Sequence, residues 1–257
     1  MTPTPTPLDR HFNLPEVRRI APDRPLVWLR AGWRDLAANP IASLSYGLLF
    51  AIGGDFILIF AWRSPQLFTA AVSGFFLIAP LLAGGLYEIS RRRAAGRSST
   101  FVDSLAGWRR NGQSIAMFGL LLALIGIAWE RISAILFALL APDLTPDLAA
   151  FVSSIFTSGA YRGLLAAWFV AGGSLALLVF AISAVSVPML LDRDTDFVTA
   201  MMASLRAVAL NLETMVLWGA LIVVLTLLGF ATLLFGLVVL MPLIGHASWH
   251  AYRDLVK

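Results

Sequence analysis

The 257-residue sequence contains no cysteine, three histidines and few charged side chains. Without cysteine there can be no disulfide, thiolate metal site, iron–sulfur cluster or cysteine nucleophile. Charged residues make up 13% of the chain, whereas soluble domains carry about 25%. The motifs of soluble enzymes, such as the P-loop, GxSxG and HExxH, are also missing. These absences predict a protein that is not an enzyme and holds no metal or other cofactor.

Long apolar runs are what the sequence does contain. Hydrophobic residues make up 59% of the chain, and the mean hydropathy is +0.82. A helix that crosses a bilayer needs about 20 mostly apolar residues. Runs of this length predict an all-α, polytopic membrane helical bundle with six spans, at 41–61, 67–89, 114–140, 164–191, 214–228 and 233–251. The last two spans belong to one apolar stretch divided near Gly229 and Gly236, so a five-span alternative stays open.

The basic residues indicate an orientation. With six spans, 16 of the 19 Lys and Arg residues lie on the side of the N-terminus, and the other three are Arg63, Arg131 and Arg162. Cytoplasmic loops retain Lys and Arg, so both termini are expected in the cytoplasm of a bacterium, with the chain in its inner membrane. The net charge of +4 then needs no nucleic-acid partner. Residues 1–25 are polar and predict a disordered tail before a single membrane domain at 26–257.

A repeated pattern divides the membrane domain into three units. Each unit begins with a short box that contains arginine, at Trp33-Arg34, Trp108-Arg109 and Arg206. Two apolar spans follow each box, and the second of them contains a proline. Asn39 and Asn211 follow the first and third boxes at the same spacing, and Ser114 takes that place after the second. The sequence therefore predicts three units of amphipathic helix plus helical hairpin.

The box segments are predicted to be amphipathic helices. Leu26, Leu29, Trp33 and Leu36 recur at steps of three and four residues, which favours one apolar stripe. Thr100, with Asp103, and Asp196 are expected to cap the other two box helices. Arginine opposite the stripe suits a helix in the anionic cytoplasmic interface. A surface that docks a partner is the alternative.

The loop at 141–161 is predicted to contain a short helix. Apolar residues at positions 148, 151, 152, 155 and 156 form a stripe without charge. We expect this helix to lie on the periplasmic surface of the inner membrane. A lid over a central cavity is the alternative.

Three ionisable residues within the spans are candidates for function. Asp55 lies 16 residues after Asn39, and Glu130 lies 16 residues after Ser114, which is about 24 Å along a helix in both cases. Arg131 follows Glu130. An isolated charge at that depth is costly, so the three are expected to form one cluster in the outer half of the bundle. A structural ion pair is the first interpretation, and a proton or cation relay is the alternative.

His246 and His250 form a second candidate site near the end of the last span. They are four residues apart and share one helix face. Such a pair can bind a metal or haem iron. No carboxylate or thiolate nearby in the sequence completes a ligand set, so we interpret them as interfacial residues that make hydrogen bonds.

Several motifs carry a resemblance to a known family. They are Gly32-Trp33-Arg34-Asp35, Pro80 with the helix-end motif 85–92 that includes Tyr87, Glu88 and Arg91, Trp129-Glu130-Arg131, and Gly245-His246-Ala247. With these motifs, residues 25–257 resemble uncharacterised bacterial multi-pass integral membrane proteins, some of them labelled as a cytochrome c oxidase subunit. The resemblance implies a fold and at most an accessory role, because a catalytic oxidase subunit needs six histidines for its haems and copper.

Two functions compete on these grounds. The first is a scaffold, assembly factor or accessory subunit of a membrane complex, such as a respiratory one, in contact with the lipid bilayer and with other subunits or a second copy of the chain. The second is a small transporter or channel that uses Asp55 and Glu130 at a repeat interface. An enzyme acting on lipid ranks third, since no nucleophile–base set is visible.

Overall fold

The structure is a computed structural model that describes residues 14–61, 71, 75, 79–141, 148–157, 159 and 161–257. Within these residues the backbone is helical, apart from connecting segments and one antiparallel bridge between Val17 and Val256. The predicted all-α membrane bundle is therefore confirmed. Its helices are α1 (Arg24–Ala38), α2 (Pro40–Ala61), α3 (Gly84–Ala94), α4 (Phe101–Ser104), α5 (Gly112–Leu140), α6 (Leu148–Thr157), α7 (Arg162–Ser183), α8 (Ser186–Asp192), α9 (Phe197–Leu210), α10 (Leu212–Ala231) and α11 (Leu237–Leu255), with a 3-10 turn at Leu105–Arg109 after α4.

Four segments of the described chain are long and apolar enough to cross a membrane. They are Pro40–Ile59, Gly112–Leu140, Arg162–Asp192 and Leu212–Ala231, and they correspond to the first, third, fourth and fifth predicted spans. Ten of the 23 residues of the predicted span at 67–89 lie outside the described residues, and its end continues through residues 79–82 into α3. The predicted sixth span is α11, whose histidines and terminal charges lower its hydropathy.

The last apolar stretch is divided, as the six-span prediction requires. α10 ends at Ala231, and Leu233 and Leu234 then adopt φ values of 52° and 69°, in the left-handed region that stops a right-handed helix. The turn is tight, because a Cβ at Gly236 would lie 3.1 Å from the Cα of Gly229. The Thr232 hydroxyl oxygen accepts a hydrogen bond from the Gly236 N–H at 2.8 Å. A single continuous helix, which the five-span alternative needed, is not present.

The three predicted units are present and pack cyclically. Each box helix lies against the second hairpin helix of the preceding unit: α4 and the 3-10 turn against α3, α9 against α7 and α8, and α1 against α11. The first unit thus closes on the last, and the two ends of the chain meet. The Arg18 N–H donates to the Leu255 carbonyl at 2.8 Å, and the Lys257 N–H donates to the Glu16 carbonyl at 3.1 Å. Residues 16–18, which the sequence assigned to a disordered tail, are ordered here because they form these backbone hydrogen bonds with the C-terminal residues.

Asparagine stands at each junction between a box helix and its hairpin. Asn39, Asn111 and Asn211 have nearly the same backbone angles, with φ between −132° and −128° and ψ between 41° and 58°. The expected equivalence of Ser114 to Asn39 is therefore wrong, and Asn111 holds that position, after the 3-10 turn that ends the middle box. Asn111 Nδ2 donates to the Thr195 carbonyl at 2.6 Å. Asn211 Nδ2 donates to the Arg18 carbonyl at 2.9 Å, so these two asparagines hold the segments that lead into α9 and α1.

The predicted helix caps are confirmed. Thr100 and Asp103 form a complete capping box at the start of α4. The Asp196 carboxylate accepts from the Thr199 N–H at 2.9 Å at the start of α9. These bonds satisfy N–H groups that the first turn of a helix leaves without backbone partners.

The predicted stripe on α1 is wrong in its direction. The buried face of α1 consists of Pro25, Trp28, Gly32, Asp35 and Leu36. Of the predicted stripe only Leu36 is buried, while Leu26 and Trp33 are about half exposed, at 50% and 53%. Tertiary packing decides this, because Trp28 stacks edge-on against Trp218 of α10 at 5.6 Å between ring centroids. Leu26 and Trp33 are left on an outward face.

The predicted helix in the outer loop is also confirmed, as α6. Its Phe151 is buried and packs against Phe137 of α5 and against Tyr161, with ring centroids 5.9 Å and 5.4 Å apart. These contacts fasten α6 to the ends of α5 and α7. Each of α2, α5, α7 and α10 also leaves large apolar side chains exposed, which suits a surface solvated by hydrocarbon.

Candidate functional site

A buried polar network joins α1, α2, α3 and α11 at the end of the bundle where the chain termini lie. Its members come from all four helices: Asp35 from α1, Ser43 from α2, Ser90 and Arg93 from α3, and His246 and His250 from α11. Asp35, Ser43, Ser90 and His246 are buried. Buried polar groups need partners, and these groups provide partners for one another.

The inner part of the network is a chain of hydrogen bonds. His246 Nε2 lies 2.8 Å from the Ser43 hydroxyl, and His246 Nδ1 lies 2.8 Å from the Ser90 hydroxyl. Ser90 donates its proton to Asp35 Oδ2 at 2.5 Å. A hydroxyl has one proton, so the Ser90 oxygen must accept from Nδ1–H of His246. Nε2 of a neutral His246 then accepts from Ser43.

The outer part of the network reaches the surface. His250 Nε2 lies 2.8 Å from Asp35 Oδ2, and the Arg93 guanidinium forms an ion pair with Asp35 Oδ1. The side chains of His250 and Arg93 are 28% and 38% exposed. Burial raises the pKa of the Asp35 carboxyl, but hydrogen bonds from His250 and Ser90 and the pairing with Arg93 outweigh it, so its pKa lies below the usual range. Asp35 is therefore a carboxylate at neutral pH.

A second polar cluster surrounds Glu88, in the helix-end motif that the sequence singled out. Glu88 is fully buried at the start of α3, and its carboxylate receives hydrogen bonds from Arg91 at 2.7 Å, Arg92 at 2.9 Å and Arg110 at 3.0 Å. Arg110 follows the middle box, so the cluster fastens that box to the first unit. The hydrogen bond to Glu88 raises the pKa of Arg91. Tyr87, beside Glu88, is buried and bonds to Ser248 of α11.

A third polar contact joins the second unit to α11. The Tyr252 hydroxyl donates to Asp192 Oδ2 at 2.8 Å and accepts from Arg193 Nε at 2.9 Å. Each interface between units at this end of the bundle therefore contains a carboxylate held by groups from another unit.

The expected cluster of Asp55, Glu130 and Arg131 is not formed in the structure. Arg131 Nε pairs with the adjacent Glu130 at 3.1 Å, and the two side chains are 76% and 42% exposed. Asp55 is exposed on α2, and within the described part of the chain no ion pair joins it to Arg131. The wrong choice of Ser114 explains the error, because counting from Asn111 puts Ile127, and not Glu130, at the depth of Asp55.

The other candidate residues are placed separately. His246 and His250 make hydrogen bonds within the bundle, and His246 is buried and not interfacial. Among the described residues no group of three His, Cys, Asp or Glu side chains could hold a metal ion. Of the box residues, Trp33, Arg34 and Arg109 are exposed, whereas Trp108 and Arg206 are half-buried.

Sequence reasoning missed Asp35, Ser43 and Ser90 as members of one site. Asp35 and Ser90 lie inside motifs that carry the resemblance, but 55 residues separate them, and 156 residues separate Ser90 from His246. No local spacing could connect them. No local signal was available either, because Asp35 lies outside the apolar stripe predicted for this helix and is buried only in the folded bundle.

Residues 67–192 match the model of a family described as "Predicted integral membrane protein (DUF2189)". The matched segment includes the Glu88 cluster and Trp129-Glu130-Arg131, two of the motifs noted in the sequence. The match confirms the resemblance to uncharacterised multi-pass membrane proteins, and it lends no support to the oxidase label. Comparisons with curated proteins and with solved structures found no match.

Proposed function

We propose that this integral membrane protein is a non-catalytic scaffold, assembly factor or accessory subunit of a larger membrane complex. The observation that carries the proposal is the position of Asp55. It is exposed on α2, and its neighbours Ile52, Phe56 and Ile59 are exposed as well. A carboxylate among side chains that face hydrocarbon is costly. A basic or polar group on a helix of another subunit would remove that cost.

The interior of the bundle supports a structural role. Among the described residues, every buried side-chain nitrogen and oxygen has a hydrogen-bond partner. The network of Asp35 and the cluster of Glu88 each join separate units of the repeat. Fully satisfied buried networks make a fold rigid and specific, as a scaffold requires.

We infer a bacterial inner membrane and cytoplasmic termini for this chain. The distribution of Lys and Arg supports cytoplasmic termini through the positive-inside rule. The bridge between Val17 and Val256 supports an even number of crossings, because chain ends that pair with each other must lie on the same side of the membrane.

Purification of the full tagged chain from its own membranes in a mild detergent tests the proposal. We expect a stoichiometric partner to co-purify with the native chain and to be lost from Asp55→Leu, which keeps an apolar helix but removes the carboxylate. Glu213→Gln, at an exposed acid in the first turn of α10, is the matched control and should keep the partner. A chain that purifies alone, or a partner that both variants retain, would contradict the proposal.

Proton or ion transport is the second candidate, and the hydrogen-bonded chain favours it. The chain of hydrogen bonds runs from the interior to the surface in the order Ser43, His246, Ser90, Asp35 and His250. A relay would use Asp35 in place of the acids chosen from the sequence. Proteoliposomes with an enclosed pH-sensitive dye would report proton flux, which Asp35→Asn and His246→Gln should each abolish. Flux equal to that of empty liposomes excludes this candidate.

A further inference from the structure

The outer face of α1 carries two arginines beside apolar side chains. α1 packs on α11 through its opposite, buried face, so Leu26 and Trp33 point outward. Arg30 and Arg34 are exposed on the same outer side. Residues four apart lie one above the other on a helix, so the two guanidinium groups can reach one point. This face therefore combines positive charge with apolar surface.

A groove of about 400 Å³ lies along this face. Its lining consists of four residues of α1 and one of α11, namely Leu29, Arg30, Trp33, Arg34 and Leu243. The groove exists because the two helices touch at their backbones. A Cβ at Gly32 would lie 2.8 Å from the Ala247 nitrogen and 3.0 Å from the Leu243 carbonyl oxygen. This close approach places Leu243 beside the side chains of α1.

No acidic side chain in the described part of the chain pairs with the two arginines of the groove. Within the described residues, neither Arg30 nor Arg34 forms an ion pair, whereas Arg24 on the same helix pairs with Asp254 at 2.6 Å. Guanidinium groups present forked donors that match phosphate oxygens. Tryptophan belongs at the level of lipid headgroups. Charge and shape together indicate an occupant with an anionic phosphate and an apolar tail.

We propose that this groove binds one anionic phospholipid, with its phosphate held between Arg30 and Arg34. The upper part of an acyl chain lies against Leu29, Trp33 and Leu243. Anionic lipids are enriched where basic residues of a membrane protein face the cytoplasm, and α1 lies in the strongly basic N-terminal region. The site goes beyond the proposed function, since a scaffold and a transporter would both bind a lipid in this way.

Titration of the purified full-length protein, followed by native mass spectrometry, tests the site. The probes are phosphatidylglycerol, phosphatidylcholine and inorganic phosphate, each added separately. We expect one molecule of phosphatidylglycerol to bind in preference to phosphatidylcholine. Arg30→Gln with Arg34→Gln should weaken this binding about 30-fold, since each basic residue near an anionic lipid surface contributes a factor of about five.

Arg19→Gln with Arg97→Gln is the control, because it removes two exposed arginines outside the groove and should leave binding unchanged. If the double groove variant does not fold, the single variants Arg30→Gln and Arg34→Gln should each weaken binding about fivefold. Retained binding in the groove variants, an equal loss in the control, or equal affinity for phosphatidylcholine would overturn the proposal. Inorganic phosphate that competes as well as the lipid would also overturn it, because the groove would then take a free anion.

Discussion

Asp35 and Asp55 belong to the same repeat unit and have opposite environments. The Asp35 carboxylate is buried and is held by Ser90, Arg93 and His250. Asp55 is exposed on the outward face of α2. The difference shows that carboxylates of one repeat unit can be held by groups from other helices or left exposed on the outside of the bundle. The first arrangement serves the fold, and the second is the basis of the proposed contact with another subunit.

Removal of the Asp35 carboxylate should give the largest effect. Asp35→Ala leaves Arg93, His250 and Ser90 without their shared acceptor, and the loss of one partner from a buried pair typically costs about 3–5 kcal/mol. Asp55→Ala should not lower the free energy of unfolding, because it removes a costly exposed carboxylate and breaks no ion pair among the described residues. Denaturant unfolding in detergent measures both. Equal destabilisation by the two variants would remove the distinction drawn between them.

The Glu88 cluster should show the same contrast at a smaller scale. Glu88→Gln keeps the shape of the side chain but removes the negative charge that Arg91, Arg92 and Arg110 share. Those arginines are partly exposed, so we expect a loss of about 2 kcal/mol, the value of a charged hydrogen bond. Glu130→Gln, in the exposed pair with Arg131, should have little effect. Thermal unfolding of the two variants side by side is the measurement, and a larger loss from Glu130→Gln would contradict it.

Ser43 and Ser45 test the inner end of the network. Ser43→Ala removes the hydroxyl that bonds His246, and we expect it to cost about 1 kcal/mol. Ser45→Ala, on the same helix, removes only a bond to the Ile41 carbonyl at the surface and should be nearly neutral. The two variants differ only in which face of α2 they change. Similar melting temperatures for both would mean that the bond to His246 contributes nothing measurable.

A pH titration should give the smallest effect. Protonation of Asp35 removes only the stability that comes from the difference between its pKa values in the folded and unfolded protein. The pKa of Asp35 is lowered in the folded protein. The stability that this provides is therefore complete above the unfolded pKa of about 3.9 and is lost as the pH falls through the lower folded pKa. Melting temperature measured between pH 7 and pH 3 should fall more for the native chain than for Asp35→Asn. An identical fall in both would contradict the assignment.

Local rules predicted much of the fold. The caps at Thr100 and Asp196, the break before α11 and the three repeated units all follow from hydrogen-bonding chemistry and hydrophobic length within short segments. The charge cluster was predicted wrongly because it depended on a register between units. In the middle unit, whose box ends in a 3-10 turn, the position equivalent to Asn39 is Asn111, three residues before Ser114.

By itself, the sequence determined that this chain is a helical membrane protein in three similar units, because apolar length and local capping depend only on neighbouring residues. Which face of α1 is buried, and which carboxylate becomes the centre of a network, was decided only by the tertiary structure. Asp35 is stable inside the bundle because Ser90, Arg93 and His250, up to 215 residues away, converge on it. No pattern confined to one segment carries that information, since His250 reaches Asp35 only when the first unit closes on the last.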